Sequence, residues 1–295
     1  MVIQNPRVIV GVDGTEGSIE ALRWAAHDAA RRGSSLYVIT CAELPVAVEA
    51  GMVGAGGLTG SAMDGIVKEH EAINQRAVTL ARSFGLDIEV SGETVLGAPG
   101  YAIVSASHEG DIVVVGATSH PGRLTDLLGS VATVVVHRAK GPVVVVHGTH
   151  RRDADIRRIA VGVDGSPGSD EALLWAAEEA MRCGAELMLV HGWTYPYVGS
   201  RTGVSEPRDD MRLDAMRTLE ASALRATEVA AGVRTHSIIS EASPAKALIE
   251  AAKDADMLVV GTRGHGGFAA LLLGSVSRTV LQHSPVPVVV IPRPD

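Results

Sequence analysis

The amino-acid sequence contains two segments that each occur twice, once in either half. VIVGVDGTEGSIEALRWAA at residues 8–26 aligns with IAVGVDGSPGSDEALLWAA at residues 159–177. VVGATSHPGRLTDLLGSV at 114–131 aligns with VVGTRGHGGFAALLLGSV at 259–276. The interval between copies, about 150 residues, is too long for the unit of a solenoid, which spans about 20–50 residues. The repetition therefore predicts a duplicated domain.

The duplication divides the 295 residues into two parts of ordinary domain size. We place the domains at residues 1–148 and 156–295, with the polar segment at 148–157 as the linker. Within each part, apolar β-branched runs alternate with segments of helical periodicity, which predicts an α/β fold with a parallel sheet and helices on both faces. The composition agrees, because 46% of residues are hydrophobic but only 3% are aromatic. Valine, leucine, isoleucine and alanine must then fill the core.

Charge and composition argue against several classes of function. The net charge is −8 and only four lysines occur, so no basic surface for nucleic acid is expected. The chain shows no signal-peptide pattern and no apolar run of about 20 residues, and we expect a cytoplasmic protein without membrane contact. Two cysteines, Cys41 and Cys183, are expected to be ordinary thiols in a reducing compartment.

The glycine spacing after the fourth strand of the second half predicts a phosphate cradle. Gly261 would let the strand end turn sharply, and Gly264 would let backbone N–H groups face an anion. Gly274 and Ser275 would begin a helix whose N-terminus attracts phosphate. Ser275 and Ser277 would add hydroxyl donors. The alternative interpretation is a tight turn with no ligand, which the repetition of the loop makes less favourable.

Two better-known phosphate loops are excluded by the sequence. The chain contains no G-x4-G-K-[ST] segment, and the turn after strand one does not read G-x-G-x-x-G. The glycine-rich run at 51–60 misses that spacing as well, and we interpret it as a mobile loop.

The combination of G-x2-G-x9-G-[ST] after strand four with an aspartate at the end of strand one resembles the ATP-binding class of universal stress proteins. The resemblance covers nearly the whole chain as two tandem copies. It implies two Rossmann-like domains of the adenine nucleotide alpha hydrolase type, each with a five-stranded parallel sheet of order 3-2-1-4-5. It also implies one adenine nucleotide, ATP, per competent domain and a regulatory role in stress response, dormancy or growth control.

The resemblance carries nucleotide contacts onto both halves. In the second half they would be Val163, Asp164, Val190, His191, Gly261, Gly264, Gly274, Ser275, Val276 and Ser277. In the first half they would be Val12, Asp13, Ile39, Thr40, Gly116, Gly129, Ser130 and Val131. Two further candidates come from the loops themselves: Arg263 could reach phosphate or equally be a solvated surface arginine, and Ser119 could still offer an N–H and a hydroxyl. Asp13 and Asp164 would contact the nucleoside end or help hold Mg²⁺, although an aspartate before a glycine also has a purely structural use in a turn.

The first half departs from the family pattern at one glycine. Ser119 stands where the second half has Gly264, and its Cβ restricts both positive φ and close approach. Pro121, which lacks a backbone donor, replaces Gly266. We therefore expect the second half to hold the stronger site, and the first-half site to be weaker, altered in ligand preference or vestigial.

Three further expectations concern activity and assembly. Neither loop contains a lysine or an obvious general base, so any ATP hydrolysis should be slow. The alternatives to a nucleotide-binding regulator are a nucleotide-independent scaffold protein and an alpha-hydrolase enzyme, but the S-G-G-x-D-[ST] loop of such enzymes is missing. The apolar fifth strands at 143–146 and 288–291 are expected to be exposed edges that pair with each other, which would make the chain an internal pseudo-dimer, and further homodimerisation is expected.

Overall fold

A computed structural model describes residues 6–43, 60–117, 128–148, 155–195, 208–264 and 273–292 of the chain. The chain divides into two compact units, Met1–Arg152 and Asp153–Asp295. No helix in the described ranges is long and apolar enough to cross a bilayer.

The described part of the first unit alternates strands and helices. Its elements are β1 (Val8–Gly11), α1 (Glu16–Arg32), β2 (Leu36–Ala42), α2 (Gly60–Ser83), β3 (Val90–Leu96), α3 (Pro99–Ala106), β4 (Ile112–Gly116), α4 (Ser130–Arg138) and β5 (Val143–Val146). The strands pair in parallel in the order β3-β2-β1-β4-β5.

The second unit repeats this arrangement. Its elements are β6 (Arg158–Gly162), α5 (Pro167–Cys183), β7 (Glu186–Gly192), α6 (Arg208–Val229), β8 (Arg234–Ser240), α7 (Pro244–Ala251), β9 (Met257–Gly261), α8 (Ser275–His283) and β10 (Val288–Ile291). The parallel order is β8-β7-β6-β9-β10. The expected α/β fold, with two tandem five-stranded sheets of order 3-2-1-4-5, is confirmed.

The helix that follows the first strand is delimited in the same way in both units. Thr15 caps the start of α1 by accepting a hydrogen bond from the Ser18 amide, and Ser166 does the same for Ser169 in α5. Each cap stabilises its helix by about 1 kcal/mol. Both helices end at a glycine in the left-handed region, Gly33 and Gly184, with φ of 61° and 66°. The first βα turn and its helix are therefore closely matched in the two copies.

In each unit, an aspartate just before the fourth strand accepts hydrogen bonds from residues at the start of the first strand. Asp111 accepts hydrogen bonds from the Arg7 amide at 2.8 Å and the Arg7 guanidinium at 2.9 Å. In the second unit, Asp256 accepts from the amides of Arg157 and Arg158 at 2.8 and 3.0 Å. Burial by itself raises the pKa of Asp111, but hydrogen bonds from Arg7 and from the His108 amide outweigh it, and the pKa lies below its ordinary value.

The side chains of the fifth strands are buried in the folded chain. All residues of Val143–Val146 and Val288–Ile291 are buried. The reason within each unit is helix packing, because α1 and α4 contact β5 while α5 and α8 contact β10. The pairing of the two strands with each other, and homodimerisation, stay predictions.

The lowered pKa of Asp111 predicts a pH-dependent contribution to stability. Because the folded-state pKa lies below the unfolded value of about 3.9, the stabilisation is complete above that pH and is lost as pH falls through the folded pKa. Asp111→Asn should lower the free energy of unfolding by about 1–3 kcal/mol at pH 7, and the difference from wild type should shrink below about pH 4. Urea denaturation between pH 7 and 3 measures both. Asp87→Asn, which alters an exposed carboxylate, should change stability at pH 7 by less than about 0.5 kcal/mol.

Candidate functional site

A cavity of about 470 Å³ opens at the carboxyl ends of strands β6, β7 and β9 in the second unit. In an open parallel sheet, ligands bind at the carboxyl ends of the strands. The usual position lies between two neighbouring strands whose crossover helices lie on opposite faces of the sheet. The residues that line it are Gly162, Val163, Asp164, Ser169, Val190, Gly192, Pro244, Leu248, Val260, Gly261, Arg263, Gly264, Leu273, Gly274, Ser275, Val276 and Ser277.

The cavity brings together every second-half residue that the sequence predicted as a nucleotide contact, except His191. The His191 side chain turns to the backbone of the first βα turn, where Nδ1 donates to the Val163 carbonyl at 2.7 Å. That bond requires the proton on Nδ1, since a carbonyl only accepts. His191 therefore supports the strand end that carries Val163 rather than lining the cavity.

Glycines allow the backbone of α5 to lie directly against the end of β9. A Cβ on Gly261 would collide with the carbonyl of Gly168, and a Cβ on Gly168 would collide with the carbonyl of Arg263. The predicted role of Gly261 as a sharp turn is therefore incomplete, because Gly261 is needed for this close contact between a strand and a helix. The contact brings the first turn of α5 to the wall of the cavity.

Of the two reasons that the sequence suggested for a glycine at position 264, positive φ and close approach, only close approach applies. Its φ does not lie in the left-handed region, so the positive-φ argument against a serine here is wrong. A Cβ on Gly264 would collide with a carboxylate oxygen of Asp164. The glycine loop and the acidic turn thus meet at one point on the cavity wall, and a side chain at position 264 would have to displace the Asp164 carboxylate.

Asp164 has a structural role in the turn that precedes α5. Its Oδ1 accepts a hydrogen bond from the Ser166 amide at 2.9 Å, and its own amide donates to Ser169 Oγ at 3.3 Å. The residue is half-buried and also lines the cavity. The carboxylate is therefore held by the turn with Oδ2 directed toward Gly264.

The N-terminus of α8 forms the opposite wall. Gly274 is the N-cap, with no side-chain cap, and its amide donates to the Thr262 carbonyl at 2.8 Å. The first backbone hydrogen bond of the helix runs from the Arg278 amide to the Gly274 carbonyl at 3.0 Å. The amides of Ser275, Val276 and Ser277 precede it, and such amides carry the positive end of the helix dipole.

Ser277 does not supply the hydroxyl donor that the sequence predicted. Its Oγ donates to the Gly261 carbonyl at 2.7 Å. A hydroxyl has one proton, so a phosphate oxygen, which only accepts, receives nothing from this side chain. Its backbone amide stays part of the helix N-terminus.

Arg263 supplies a positive charge at the same wall. The side chain is half-buried, and its Nε is shielded from solvent with no hydrogen-bond partner among the described residues. An N–H left without an acceptor inside a protein costs about 1–3 kcal/mol. A bound anion would remove that cost.

The residues predicted as nucleotide contacts in the first unit follow the same order along the chain as those of the second unit. Val12 and Ile39 are buried, and the Val12 amide donates to the Ile39 carbonyl at 2.8 Å. Thr40 is fully buried and its Oγ1 accepts from Asn74 Nδ2 at 3.2 Å, and its place near a base stays a prediction. Asp13 is exposed, and its Oδ1 accepts from the amide and hydroxyl of Thr15 at 3.0 and 2.6 Å.

The strand-four end of the first unit repeats the glycine packing. A Cβ on Gly116 would lie 2.9 Å from the Gly17 carbonyl oxygen. Gly129 caps α4, its amide donating to the Ala117 carbonyl at 2.8 Å, and Ser130 and Val131 form the first turn. The predictions for Ser119 and Pro121, and for residues 51–59 of the glycine-rich run, lie outside the described residues.

Comparison with known proteins decides the family. The family model described as Universal stress protein family matches residues 5–147 and again residues 155–292. A universal stress protein of Mycolicibacterium smegmatis is 34% identical over 289 residues, which cover 96% of each chain. The chain belongs to the universal stress protein family.

Solved structures agree with this fold. A crystal structure of a universal stress protein from Archaeoglobus fulgidus overlays with a TM-score of 0.70 at 24% identity, covering 99% of this chain and 98% of that one. A shorter universal stress protein in complex with cAMP matches 47% of this chain and 98% of its own, at 25% identity and a TM-score of 0.36. The latter overlay is too loose to assign a ligand here.

Seven residues of this universal stress protein line the cavity without having been predicted. They are Gly162, Ser169, Gly192, Pro244, Leu248, Val260 and Leu273. Three of them lie at or beside strand ends that were identified, and extending each predicted strand end by one residue on either side would have found Gly162, Gly192 and Val260. Leu248 lies one helical turn after Pro244 and would follow from the helix period.

The first unit has a cysteine where the cavity of the second unit has a glycine. Cys41 occupies the position in β2 that Gly192 occupies in β7, and burial, followed by the charges of Glu43 and Glu93, raises its pKa to about 11. Such a thiol is protonated at neutral pH and unreactive. Neither Cys41 nor Cys183 forms a disulfide with a described residue, and the Cys183 thiol donates to Glu179 Oε1 at 3.5 Å.

No group of three or more histidine, cysteine, aspartate or glutamate side chains arranged to hold a metal ion occurs within the described ranges. Asp13 and Asp164, the predicted Mg²⁺ ligands, each stand in a separate unit. Either carboxylate would hold Mg²⁺ only together with oxygens from a ligand, which is the usual arrangement for Mg²⁺ at phosphates.

The close packing of Gly168 against the Arg263 backbone predicts that even an added methyl group at position 168 lowers the stability of the protein. Gly168→Ala should lower the free energy of unfolding by about 1–3 kcal/mol, because the added methyl meets a backbone carbonyl that cannot rotate away. Gly65→Ala, in α2, should instead raise stability by about 0.5–1 kcal/mol, since nothing lies within 4 Å of the new methyl and alanine favours a helix. Urea denaturation of both variants checks the opposite signs; equal effects would contradict the packing argument.

Proposed function

We propose that the cavity of the second unit binds an adenine nucleotide, with ATP as the ligand. The bound protein acts as a regulator in stress response, dormancy or growth control. The observation that carries the proposal is the convergence of an unsatisfied arginine N–H and a helix N-terminus on one wall of an otherwise apolar cavity.

The phosphate end of the ligand would lie between α8 and the glycine loop. The amides of Ser275, Val276 and Ser277 offer donors and the positive end of a helix dipole. Arg263 supplies the only positive charge among the described residues that line the cavity, and a phosphate oxygen would satisfy its buried Nε. Charge-assisted hydrogen bonds of this kind are about twice as strong as neutral ones.

The base would lie at the apolar end of the cavity. Val163, Val190, Pro244 and Leu248 supply hydrophobic walls, and Gly192 leaves space because it has no side chain. Ligand cavities usually measure about 300–1,000 Å³ and combine apolar walls with a few convergent polar groups. The volume of about 470 Å³ lies within that range.

Mg²⁺ would reach this site only with the nucleotide. Asp164 lines the cavity near Gly264, and its carboxylate could complete the coordination of an ion held by phosphate oxygens. The metal would supply positive charge that neutralises the phosphates. The chain's own contribution is to hold the Asp164 carboxylate in a fixed orientation through the Ser166 amide.

The ionisable groups at the cavity favour binding over turnover. Among the described lining residues only Asp164 and Arg263 ionise, and Asp164 is engaged in the turn before α5. Phosphoryl transfer requires a group that positions the attacking water in addition to charge stabilisation. We therefore propose that the nucleotide is a retained signal, with hydrolysis at most slow, and that the first unit binds it more weakly.

The central test is the removal of one positive charge. Arg263→Gln should weaken ATP binding about 10- to 100-fold in isothermal titration calorimetry of the full chain, because it removes charge-assisted hydrogen bonds to phosphate. Arg278→Gln is the matched control, since it removes the same charge from an exposed position on α8 outside the cavity. The control should stay within about twofold of wild type.

Two outcomes would contradict the proposal. Wild-type protein that gives no heat with ATP, with or without Mg²⁺, would support a nucleotide-independent scaffold instead. Equal losses in the two arginine variants would show that only the overall charge matters, and the ligand would then lie elsewhere.

Removal of the metal tests the role of Asp164. Chelation by EDTA should weaken ATP binding to the wild type, because the phosphates lose a neutralising charge. In Asp164→Asn the loss on chelation should be several-fold smaller, since the neutral amide is a poorer Mg²⁺ ligand. Titrations in Mg²⁺ and in EDTA give the ratio for each protein; the same ratio in both would exclude Asp164 as a metal ligand.

A further inference from the structure

The hydrogen bond from Ser277 Oγ to the Gly261 carbonyl joins α8 to the end of β9. It measures 2.7 Å and is buried, and Ser277 itself is only 4% exposed. The two residues lie 16 positions apart, at opposite ends of the glycine loop. The bond therefore closes that loop at its base.

The position of Gly261 in the sheet explains why its carbonyl takes a partner from a side chain. The amides of Leu258 and Thr262 donate to β10, at Pro287 and Ile291, so by strand alternation Gly261 faces β6. The ladder between β6 and β9 ends at the pair Val161–Val259. Gly261 thus lies beyond the end of that ladder. The Ser277 hydroxyl donates to the Gly261 carbonyl, which the ladder does not pair.

A second hydrogen bond acts beside the first. The Gly274 amide donates to the Thr262 carbonyl at 2.8 Å. Two successive carbonyls at the end of β9, those of Gly261 and Thr262, are thereby attached to the first turn of α8. Together they fix where the amides of this turn lie relative to Arg263 and Gly264, which follow directly on β9.

The first unit has only one of these two attachments. Gly129 donates to the Ala117 carbonyl at 2.8 Å, which reproduces the bond from Gly274. Ala132, however, stands at the position of Ser277 and has no hydroxyl. The difference is independent of Ser119, and it lies in a part of the first unit that the structure describes.

We infer that Ser277 is a positioning residue that sets the affinity of the second unit for the phosphates of a nucleotide, without contacting them through its side chain. The inference rests on the proposed function, because it takes the first turn of α8 as the phosphate site. It assigns Ser277 an indirect role, and it adds the Ser277–Ala132 difference to the reasons why the first unit binds more weakly.

The test compares ligands with and without phosphates. Ser277→Ala should weaken ATP binding about 5- to 10-fold, the loss expected for one buried hydrogen bond, and should change adenosine binding by less than about twofold. A residue that only stabilised the cavity as a whole would affect both ligands alike. Titration calorimetry for ATP and ligand-observed NMR for adenosine give the two ratios.

Two further variants complete the design. Ser277→Cys nearly retains the side-chain volume, but its thiol is a weak hydrogen-bond donor, so it should show the same selective loss of ATP binding. This variant keeps the test decisive if Ser277→Ala folds poorly. Thr279→Ala removes a hydroxyl of the same helix that donates to the Ser275 carbonyl at 2.9 Å, and this variant should bind both ligands as wild type does.

The results separate this inference from the proposed function. Wild-type protein that binds neither ligand would overturn the proposed function. Wild-type binding of ATP that survives unchanged in both Ser277 variants, or parallel losses of ATP and adenosine, would overturn the positioning role alone.

Discussion

The arrangement of the second unit depends on a very close backbone contact between the end of β9 and the first turn of α5. Gly261 and Gly168 meet there without room for a Cβ on either side. Because the helix begins at this contact, the turn that carries Asp164 is placed against the loop that carries Gly264. The cavity exists because α5 approaches from this side, and its opposite wall is α8, which two hydrogen bonds attach to the same strand end. A wider separation at the glycines would displace both walls.

The fold was predictable from the sequence because its determinants are local and repeated. The buried strands are continuous runs of valine, leucine and isoleucine, and the intervening helices carry an apolar stripe and recognisable caps. The appearance of the pattern twice removed most of the ambiguity that a single copy would leave. The positions of Asp164, Gly261 and Gly274 at the cavity followed from one rule, that the carboxyl ends of parallel strands lie at the same edge.

The roles of individual side chains were not predictable in the same way. A spacing places Ser277 near the helix start, but it does not tell whether the hydroxyl donates to a ligand or to a carbonyl 16 residues earlier. Thr40 and His191 are equivalent positions in the second strands of the two units, and their place near the strand end does not tell which partner either side chain takes. Successive side chains of a strand point to opposite faces, so an assignment that is off by one residue selects the wrong face. His191 was predicted as a nucleotide contact, but its side chain bonds to the backbone of another strand end.

The two copies agree where backbone meets backbone and differ where side chains surround the cavity. Gly168 and Gly261 have the counterparts Gly17 and Gly116, and both pairs sit too close for a Cβ. At Gly192 and Ser277, in contrast, the first unit has Cys41 and Ala132. A change at a backbone contact displaces whole elements and costs stability, whereas a change at the cavity alters only what binds. On the proposal that the first unit binds more weakly, a chain with one strong and one weak site would respond to its ligand over a wider concentration range than a chain with two identical sites.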